Sequence, residues 1–388
     1  MIKKLKLGMV GGGQGAFIGA VHRMAARLDG HWELVAGALS SDPTRARTSA
    51  AELGLASDRT YTDFQEMARA ESKRSDGIDA VAIVTPNHMH APVALAFLKA
   101  GIHVICDKPL AATLAEAETI AKAVKDSDKH LILTHNYTGY PLVRQAREMV
   151  ARGDLGKIRV VQVEYAQDWL AEPLDNKQAD WRTDPERAGA GGCVGDIGTH
   201  ALNLAHFVTG LEIKELSADL DKFVEGRQLD DNVQVLLRFK GGAKGMLWAS
   251  QVAVGEENGL RLRIYGDRGG LAWQQENPNA MTFTRFGQPK QIMTRGGAGA
   301  TEACLGTIRV PPGHPEGYIE GFATIYSEAA ALIREAGANP CRSQSNQLPG
   351  IIDGRLGMQF IMACIRSSMA DARWTSLETY GEVHLPNS

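Results

Sequence analysis

Residues 5–16 read LKLGMVGGGQGA, a short apolar run followed by a cluster of glycines. Leu5–Val10 has the composition of a buried strand, and a helical pattern follows from about Ala16 to Leu28. The glycines match G-x-G-x-x-[G/A], a motif that gains meaning when a strand precedes it and a helix follows it. Such a turn lets backbone N–H groups approach a pyrophosphate at the N-terminus of a helix. The stretch predicts the first βα unit of a dinucleotide-binding sheet; a plain glycine-rich turn is the alternative.

Short apolar runs recur through the first third of the chain and alternate with helical patterns. The runs lie at 32–39, 79–85, 103–106 and 131–134, and the helical patterns lie at 43–53, 92–100 and 113–124. The run at 79–85, DAVAIVT, is apolar almost throughout, as expected of a strand that is covered on both faces. This alternation predicts a doubly wound parallel Rossmann sheet, and we assign residues 1–136 to a dinucleotide-binding domain.

The pattern changes after residue 136. Strand-like alternation occurs at 158–166, 233–239, 246–252, 260–266 and 270–273, and helical patterns occur at 141–152, 199–209, 318–335 and 351–369. Asp267–Gly270 has the composition of a hairpin turn, so its flanking strands are expected to run antiparallel. Residues 275–315 are rich in glycine, proline and asparagine and are predicted to be mostly loop. For 137–388 we predict an α+β domain with a large, mostly antiparallel sheet that leaves one face open.

The composition argues against several classes of protein. The chain has 388 residues and a net charge of −3, which gives no basic footprint for nucleic acid. The cysteines, Cys106, Cys193, Cys304, Cys341 and Cys364, form no CxxC pair, which disfavours disulfides and structural zinc and favours a reducing cytoplasm. No apolar run approaches the ~20 residues of a membrane span. We expect a soluble cytoplasmic protein of two domains, with no metal and no membrane partner.

The choice between NAD and NADP depends on the residues that follow the second strand. A ribose-binding acid is expected about 20 residues past the glycines, and Ser40 stands there instead. Asp42 could bind a 2′-hydroxyl, which would select NAD. Ser40 or Ser41, together with Arg45, could surround a 2′-phosphate, which would select NADP. A helix cap is an equally good role for Asp42; NAD is the favoured cofactor and NADP the alternative.

Two polar segments follow neighbouring strands of the predicted parallel sheet and therefore belong to the same edge. The first, TPNHMH at 85–90, offers Asn87 and His88 to a nicotinamide or ribose; a turn or helix-cap role is the alternative and is favoured for His90. The second, CDKP at 106–109, places Lys108 as a fixed cation where a cofactor and a substrate would meet. A lysine after a strand is ordinarily a solvated surface residue, so this interpretation depends on the adjacent cofactor.

A third segment reads GGCVGDIGTH at 191–200. If a helix begins near Asp196, then Asp196 and His200 are four residues apart and lie on one face. A carboxylate one turn from an imidazole can orient a substrate hydroxyl and tune its proton acceptor. The alternative is a helix-capping aspartate beside a structural histidine.

The three motifs together, GGGQGA, CDKP and GDIGTH, resemble the Gfo/Idh/MocA oxidoreductase family over nearly the whole chain. The family tripeptide is E-K-P, and D-K-P stands here, which leaves Lys108 in place. The resemblance implies that Lys108, Asp196 and His200 meet in the cleft between a Rossmann domain and an open-sheet domain. It also implies a homo-oligomer, a dimer or tetramer, and makes a cis bond before Pro109 plausible.

The segment HNYTGY at 135–140 and the pair Trp181-Arg182 resemble the subgroup that oxidises inositols, L-glucose or anhydrosugars such as levoglucosan. This resemblance implies hydride transfer between a nicotinamide and a secondary hydroxyl of a sugar or cyclitol. His200 would be the general base, with an ordinary pKa near ~6.5. Lys108 would stabilise alkoxide charge and Asp196 would orient the substrate. The alternatives are a catalytically silent sugar sensor and the oxidative step of a deglycosylation pathway.

The candidate site residues form three overlapping groups. For catalysis they are Lys108, Asp196 and His200. For substrate binding they are Lys108, Tyr165, Asp168, Arg182, Asp196 and His200. For cofactor binding they are Gly11, Gly13, Gln14, Gly15, Ala16, Phe17, Ile18, Ser40, Ser41, Asp42, Arg45, Thr85, Pro86, Asn87, His90, Asp107, Lys108, Asn136, Trp181 and Arg182.

Overall fold

The first sheet of the computed structural model, which describes residues 3–174, 176–338 and 347–377, is five-stranded and wholly parallel. Its strands are β1 (Leu5–Gly11), β2 (Trp32–Ala38), β3 (Ala80–Val84), β4 (His103–Cys106) and β5 (Leu131–Leu133). They lie in the order β2-β1-β3-β4-β5. The chain reverses its direction of winding after β2, so a crevice forms at the carboxyl ends of β1 and β3. The predicted Rossmann sheet is confirmed.

Helices cover both faces of this sheet. They are α1 (Phe17–Leu28), α2 (Pro43–Glu52), α3 (Phe64–Glu71), α4 (His90–Lys99) and α5 (Leu114–Asp126), with 3₁₀ turns at Ser57–Arg59 and Asn87–Met89. The starts of three of them are fixed by side-chain caps. Asp42 and Asp63 each accept from a backbone N–H of the first turn, and Thr113 forms a reciprocal capping box with Glu116. Helix α3 was not predicted, because its eight residues carry only a short apolar stripe.

The second sheet has eight strands in the order β13-β12-β11-β10-β6-β9-β8-β7. They are β6 (Ile158–Ala166), β7 (Ile213–Asp221), β8 (Asn232–Phe239), β9 (Lys244–Ser250), β10 (Gly259–Gly266), β11 (Gly269–Gln274), β12 (Ala280–Arg285) and β13 (Gln291–Thr294). Every neighbouring pair is antiparallel except β6 and β9. In β8, Val233 and Val235 are buried while Gln234 and Leu236 are exposed, so one face is open. This confirms the α/β class and the mostly antiparallel second sheet.

The structure corrects the prediction of loop for residues 275–315. This stretch contains β12, β13 and a short helix, α10 (Glu302–Leu305). The strand β12 alternates in the expected way, with Met281 and Phe283 buried. Flanking glycine, asparagine and proline form its tight turns and concealed that alternation. The edge strand β7 was also missed, because charged residues interrupt its buried Leu216 and Ala218.

The remaining helices connect the two sheets. They are α6 (Pro141–Ala151), α7 (Lys177–Arg182), α8 (Pro185–Ala188), α9 (Thr199–Thr209), α11 (Tyr318–Ala338) and α12 (Ile351–Met369). Helix α11 packs on α1, and its Phe322 and Tyr326 complete the apolar core of the first sheet. The Trp32 indole N–H donates to the Tyr326 carbonyl oxygen at 2.8 Å, and the Tyr326 hydroxyl lies 2.9 Å from Nδ1 of His22. A late segment of the chain therefore builds part of the early sheet's core.

Within residues 3–174, 176–338 and 347–377, no helix has the length and apolar character needed to cross a membrane. The same part of the chain holds no cluster of three or more histidine, cysteine or acidic residues arranged for a metal ion. Cys106, Cys193, Cys304 and Cys364 are buried free thiols, and Cys341 lies outside the described residues.

Candidate active site

A cavity of about 430 Å³ opens at the carboxyl ends of the first strands, above the glycine-rich turn. Gly11 has a φ of +81°, which L side chains rarely adopt. A Cβ atom on Gly13 would lie 2.7 Å from the Leu39 carbonyl oxygen, so only glycine fits there. The turn leads into the N-terminus of α1. This cradle has the shape and the donors that a dinucleotide pyrophosphate requires.

Most of the predicted cofactor residues line this cavity. They are Gly11, Gly13, Ala16, Ile18, Ser40, Ser41, Arg45, Thr85, Pro86, Asn87, Asp107, Lys108, Trp181 and Arg182. Phe17 and Asn136 line a neighbouring cavity instead. Four predicted cofactor residues in the described part of the chain line neither of these two cavities: Gln14, Gly15, Asp42 and His90.

Asp42 is a helix cap. Its Oδ1 accepts from the backbone N–H of Arg45 at 2.6 Å, at the start of α2. The polar side chains that line the cavity just after β2 are Ser40, Ser41 and Arg45. The structure thus favours the capping alternative for Asp42 over contact with a ribose.

His90 is buried behind the cavity wall. Its Nδ1 lies 2.7 Å from the Pro109 carbonyl oxygen, and its Nε2 lies 3.0 Å from the Thr85 carbonyl oxygen. Both ring nitrogens thus face the backbone of the two rim segments, and the peptide bond before Pro109 is cis. The prediction that His90 contacts a cofactor is not supported by this position. The favoured turn and cap role fits it.

The second cavity, of about 270 Å³, adjoins the first. The two share a wall that includes Lys108, Arg182 and Asp196. The other walls of the smaller cavity carry aromatic rings and polar groups, which are Phe17, Tyr137, Tyr165, Trp169, Tyr318, Phe322, Asn136, Gln167 and His200. A small amphipathic molecule held there would lie directly beside the dinucleotide cradle.

Lys108 and Asp196 form an ion pair on the shared wall. The Lys108 ammonium lies 2.7 Å from Asp196 Oδ1 and also donates to the Asp196 main-chain carbonyl at 2.5 Å. Asp196 Oδ2 accepts from Arg182 Nε at 3.2 Å and from Gln251 Nε2 at 2.9 Å. Burial raises the pKa of Asp196, but the charges of Lys108 and Arg182 outweigh burial and hold this pKa below its ordinary value. The carboxylate is therefore ionised at neutral pH.

The segment that carries Asp196 is a π-helical turn, Val194–Gly198, which leads into α9. The predicted spacing holds, since Asp196 and His200 lie four residues apart on either side of the junction. The Asp196 carboxylate accepts from the side chains of three distant segments. This arrangement differs from the helix-capping alternative. Short π-helical turns within helices are frequent at functional sites.

His200 is buried against the rings of the second cavity. Its ring centroid lies 4.9 Å from that of Tyr137 and 5.3 Å from that of His135. Its Nδ1 has no hydrogen-bond partner among the described residues. Burial, followed by the charge of Lys108, lowers the pKa of His200 well below 6.5, although Asp196 opposes the shift. The expectation of an ordinary histidine pKa is wrong: the imidazole is neutral at physiological pH.

Tyr165 and Asp168 occupy different environments. The Tyr165 hydroxyl lines the second cavity but donates to Asn258 Oδ1 at 2.7 Å and lies 2.6 Å from the Tyr137 hydroxyl. Asp168 accepts from the backbone N–H of Gly255 at 3.0 Å and is on the wall of neither described cavity. The structure therefore does not bring Asp168 to the site, although it brings Tyr165 there.

Several residues of the site had no sequence signal. Gln251, just past β9, reaches Asp196 only because the end of the second sheet meets the π-helical turn. Trp169 donates from its indole N–H to Gln167 at 3.0 Å, and the Arg182 guanidinium lies over the rings of Trp169 and Trp181. Gln178 lines both cavities. A sequence signal existed for Tyr137, which lies inside the HNYTGY segment, and for His88, which lies inside TPNHMH and lines the first cavity, but neither was chosen as a site residue.

Comparison with known proteins identifies both parts of the chain. Residues 5–147 match the oxidoreductase family with an NAD-binding Rossmann fold, and residues 143–272 match the GFO/IDH/MocA C-terminal domain. A relative, levoglucosan dehydrogenase from Pseudarthrobacter phenanthrenivorans, is 31% identical over 71% of this chain and 75% of its own. The chain belongs to the Gfo/Idh/MocA oxidoreductases. The resemblance found in the three motifs is thereby confirmed.

Two solved structures are similar over the full architecture of this Gfo/Idh/MocA oxidoreductase. An oxidoreductase from Sinorhizobium meliloti is 55% identical, with a TM-score of 0.88 over 97% of this chain and 100% of that chain. An inositol dehydrogenase homologue from Azotobacter vinelandii, complexed with NADH and myo-inositol, is 35% identical, with a TM-score of 0.91 over 97% of this chain and 98% of that chain.

Proposed function

We propose that this oxidoreductase transfers a hydride between NAD(P) and a secondary hydroxyl of a sugar or cyclitol. The observation that carries the proposal is the junction of the two cavities: Lys108 and Asp196 lie on the shared wall, and His200 lies on the adjoining wall of the smaller cavity. One cavity has the cradle for a dinucleotide, and the other is a small pocket with polar and aromatic walls. The named activities of two similar proteins, levoglucosan dehydrogenase and an inositol dehydrogenase homologue, support the same class of substrate.

A bound nicotinamide supplies the hydride chemistry, and the side chains of the protein manage the proton and the charge. Neutral His200 accepts the hydroxyl proton as the carbonyl forms. The Lys108 ammonium stabilises the negative charge that develops on the oxygen, and it is effective because Asp196 holds it in a partly buried position. The low basicity of His200 suits a substrate hydroxyl that this cation has already acidified.

The proposed substrate is a ring-shaped polyol, for which the walls of the second cavity are suited. Tyr137, Tyr318 and Trp169 offer aromatic surface to the C–H face of such a ring. Arg182, Gln167 and Asn136 offer donors and acceptors to its hydroxyls. The Asn136 amide nitrogen is buried without a partner among the described residues, so it is available to an added group.

The direct test is a screen of the purified protein for a change in absorbance of the reduced cofactor. The panel contains inositols, L-glucose, D-xylose and levoglucosan, each with NAD and with NADP. We expect turnover with at least one of these polyols. Turnover with none of them, under conditions where the protein binds cofactor, would contradict the proposal.

Replacing Arg45 with Ala is expected to reduce kcat/KM with NADP more than with NAD. Arg45 lines the cavity beside Ser40 and Ser41, and only NADP offers it a 2′-phosphate. A hydrogen bond to a charged group contributes about 1.5–3 kcal/mol, so the ratio of the two kcat/KM values should shift roughly tenfold or more. Arg47→Ala, on the exposed side of α2, is the matched control and should leave the ratio unchanged. An equal loss with both cofactors would refute this role for Arg45.

We also propose a cytoplasmic homo-oligomer, a dimer or tetramer, that pairs through the open face of the second sheet. Leu236 and Met246 on that face are 50% and 44% exposed, and Ile292 is 71% exposed. Apolar groups of this kind are usually covered in an assembled protein. Leu236→Asp is expected to lower the mass measured by light scattering, whereas Met24→Asp on α1 is the control. A wild-type protein that is monomeric at micromolar concentration would exclude this assembly.

A further inference from the structure

Asp230, just before β8, is bonded to three consecutive backbone amides of a distant segment. Its carboxylate accepts from the N–H of Gly192 at 2.7 Å and from that of Val194 at 2.7 Å. Its own main-chain carbonyl accepts from the N–H of Cys193 at 2.8 Å. The side chain is buried, and burial raises its pKa to about 6 against the opposing effect of the two amides. At neutral pH the carboxylate is therefore ionised and can accept from both amides.

The three amides lie at the entry to the π-helical turn that carries Asp196. N–H groups at the start of a helix have no partner within the helix, and an anion there also complements the helix dipole. Asp230, which lies outside the segment, supplies both the hydrogen-bond acceptors and the negative charge. The fit is close: a Cβ atom on Gly192 would lie 2.2 Å from the Asp230 carbonyl oxygen. Only glycine at position 192 therefore lets the segment lie this close to Asp230.

The position of the turn decides the position of the ion pair. The backbone N–H of Asp196 donates to the Gly192 carbonyl oxygen at 2.9 Å, which links Asp196 to the residue that Asp230 holds. Lys108 bonds the main-chain carbonyl of Asp196 as well as its carboxylate. A shift of this backbone would therefore displace both contacts of the Lys108 ammonium together.

We propose that Asp230 is a positioning residue that fixes the backbone of the π-helical turn and, through it, the Lys108–Asp196 pair. Asp230 is on the wall of neither described cavity, so it acts through Asp196 and does not touch the reacting groups. The inference rests on the proposed function for its effect on turnover. Its effect on the turn can be measured without turnover.

The next residue provides a matched control. Asp231 is also buried, and its carboxylate also accepts from two backbone amides, those of Phe223 at 2.9 Å and Val224 at 3.0 Å. These amides belong to a turn after β7 and not to the π-helical turn. Each Asn substitution replaces one acceptor oxygen by an NH2 donor, so Asp230→Asn and Asp231→Asn weaken equivalent carboxylate–amide bonds at adjacent positions. Only the Asp230 carboxylate bonds the segment that carries Asp196.

The experiment compares both variants in kinetics and in hydrogen–deuterium exchange of the peptide that spans 191–198. Asp230→Asn is expected to lower kcat roughly tenfold to a hundredfold, with an unchanged cofactor Kd, and to accelerate exchange in this peptide. Asp231→Asn is expected to retain kcat within about twofold of the wild type and to leave the exchange rate of this peptide unchanged. The substrate is the polyol with the highest kcat/KM in the screen described above. Asp230→Ser, which keeps one hydroxyl acceptor and places no NH2 group against the backbone amides, replaces the Asn variant if that variant does not fold.

A double-mutant cycle separates positioning from general destabilisation. In an Asp196→Asn background, Asp230→Asn should lower kcat by a much smaller factor than it does in the wild-type protein. The reason is that both substitutions act through the position of the Lys108 ammonium. Equal losses in the two backgrounds, equal losses of kcat for Asp230→Asn and Asp231→Asn, or unchanged exchange in Asp230→Asn would each overturn the inference. If the wild-type protein turns over none of the polyols, the proposed function fails, and the exchange result alone still decides whether Asp230 holds the turn.

Discussion

Lys108→Met is expected to lower kcat by roughly 10²–10³-fold, with little change in the affinity for NAD(P). In the proposed mechanism this ammonium stabilises alkoxide charge, and its side chain is 11% exposed in an ion pair with Asp196. Methionine retains most of the length and apolar surface of lysine but removes the charge. The loss should therefore appear in kcat, since the interaction is made most strongly in the transition state.

Steady-state kinetics and cofactor titration by fluorescence check this expectation. Lys122→Met, on the exposed side of α5, is the control for loss of one lysine charge and should retain wild-type kcat. Thermal unfolding of both variants shows whether the Asp196 carboxylate, left with Arg182 and Gln251, still permits a stable fold. A Lys108→Met protein with kcat close to that of the wild type would remove Lys108 from the mechanism.

His200→Asn is expected to lower kcat by roughly 10²–10⁴-fold, as expected for the loss of a general base. The pH profile of the wild-type protein should carry a second signature. Because the folded-state pKa of His200 lies well below 6.5, the base form persists as the pH falls through 6.5. Activity that depends on this base is lost only when the pH falls through the lowered pKa. The midpoint of the acid limb of kcat/KM for oxidation should therefore lie below 6.5.

The measurement is kcat/KM for polyol oxidation between neutral and acidic pH, in buffers of constant ionic strength. His206→Asn is the control, since His206 lies on the same helix, half-buried, with Nδ1 3.1 Å from the Leu211 carbonyl oxygen. It should leave both kcat and the profile unchanged. An acid limb with its midpoint at or above 6.5 would show that the burial of His200 does not govern its proton affinity during turnover.

The sequence predicted the features that depend on local patterns. The glycine-rich turn, the CDKP segment and the Asp196–His200 spacing each lie within a dozen residues, and the order of strand and helix places the first two at one sheet edge. These two segments meet in space because the carboxyl ends of neighbouring parallel strands lie at the same crevice. Convergence of Lys108 with Asp196 was implied by the family resemblance and not by spacing, since 88 residues separate them.

The sequence could not predict effects that arise from packing. The lowered pKa of His200 depends first on burial, to which the rings of Tyr137 and His135 contribute from another part of the chain. Gln251 meets Asp196 through the register of the second sheet, which no local pattern specifies. Asp42 and His90 illustrate the reverse case, in which the cap or turn role that the sequence left open fits the structure. Their types suit a cofactor site, and in each case a nearby backbone group provides a competing partner.

Helix α11 has a consequence for the order in which the protein can mature during synthesis. The ribosome releases the strands of the nucleotide-binding half long before Phe322 and Tyr326, which cover Leu7 and Trp32 in the finished core. Until that helix emerges, an apolar surface of the nascent half remains uncovered and is open to chaperones or aggregation. In a fragment ending at residue 136 this apolar surface would remain exposed permanently, so we expect the truncated protein to be insoluble.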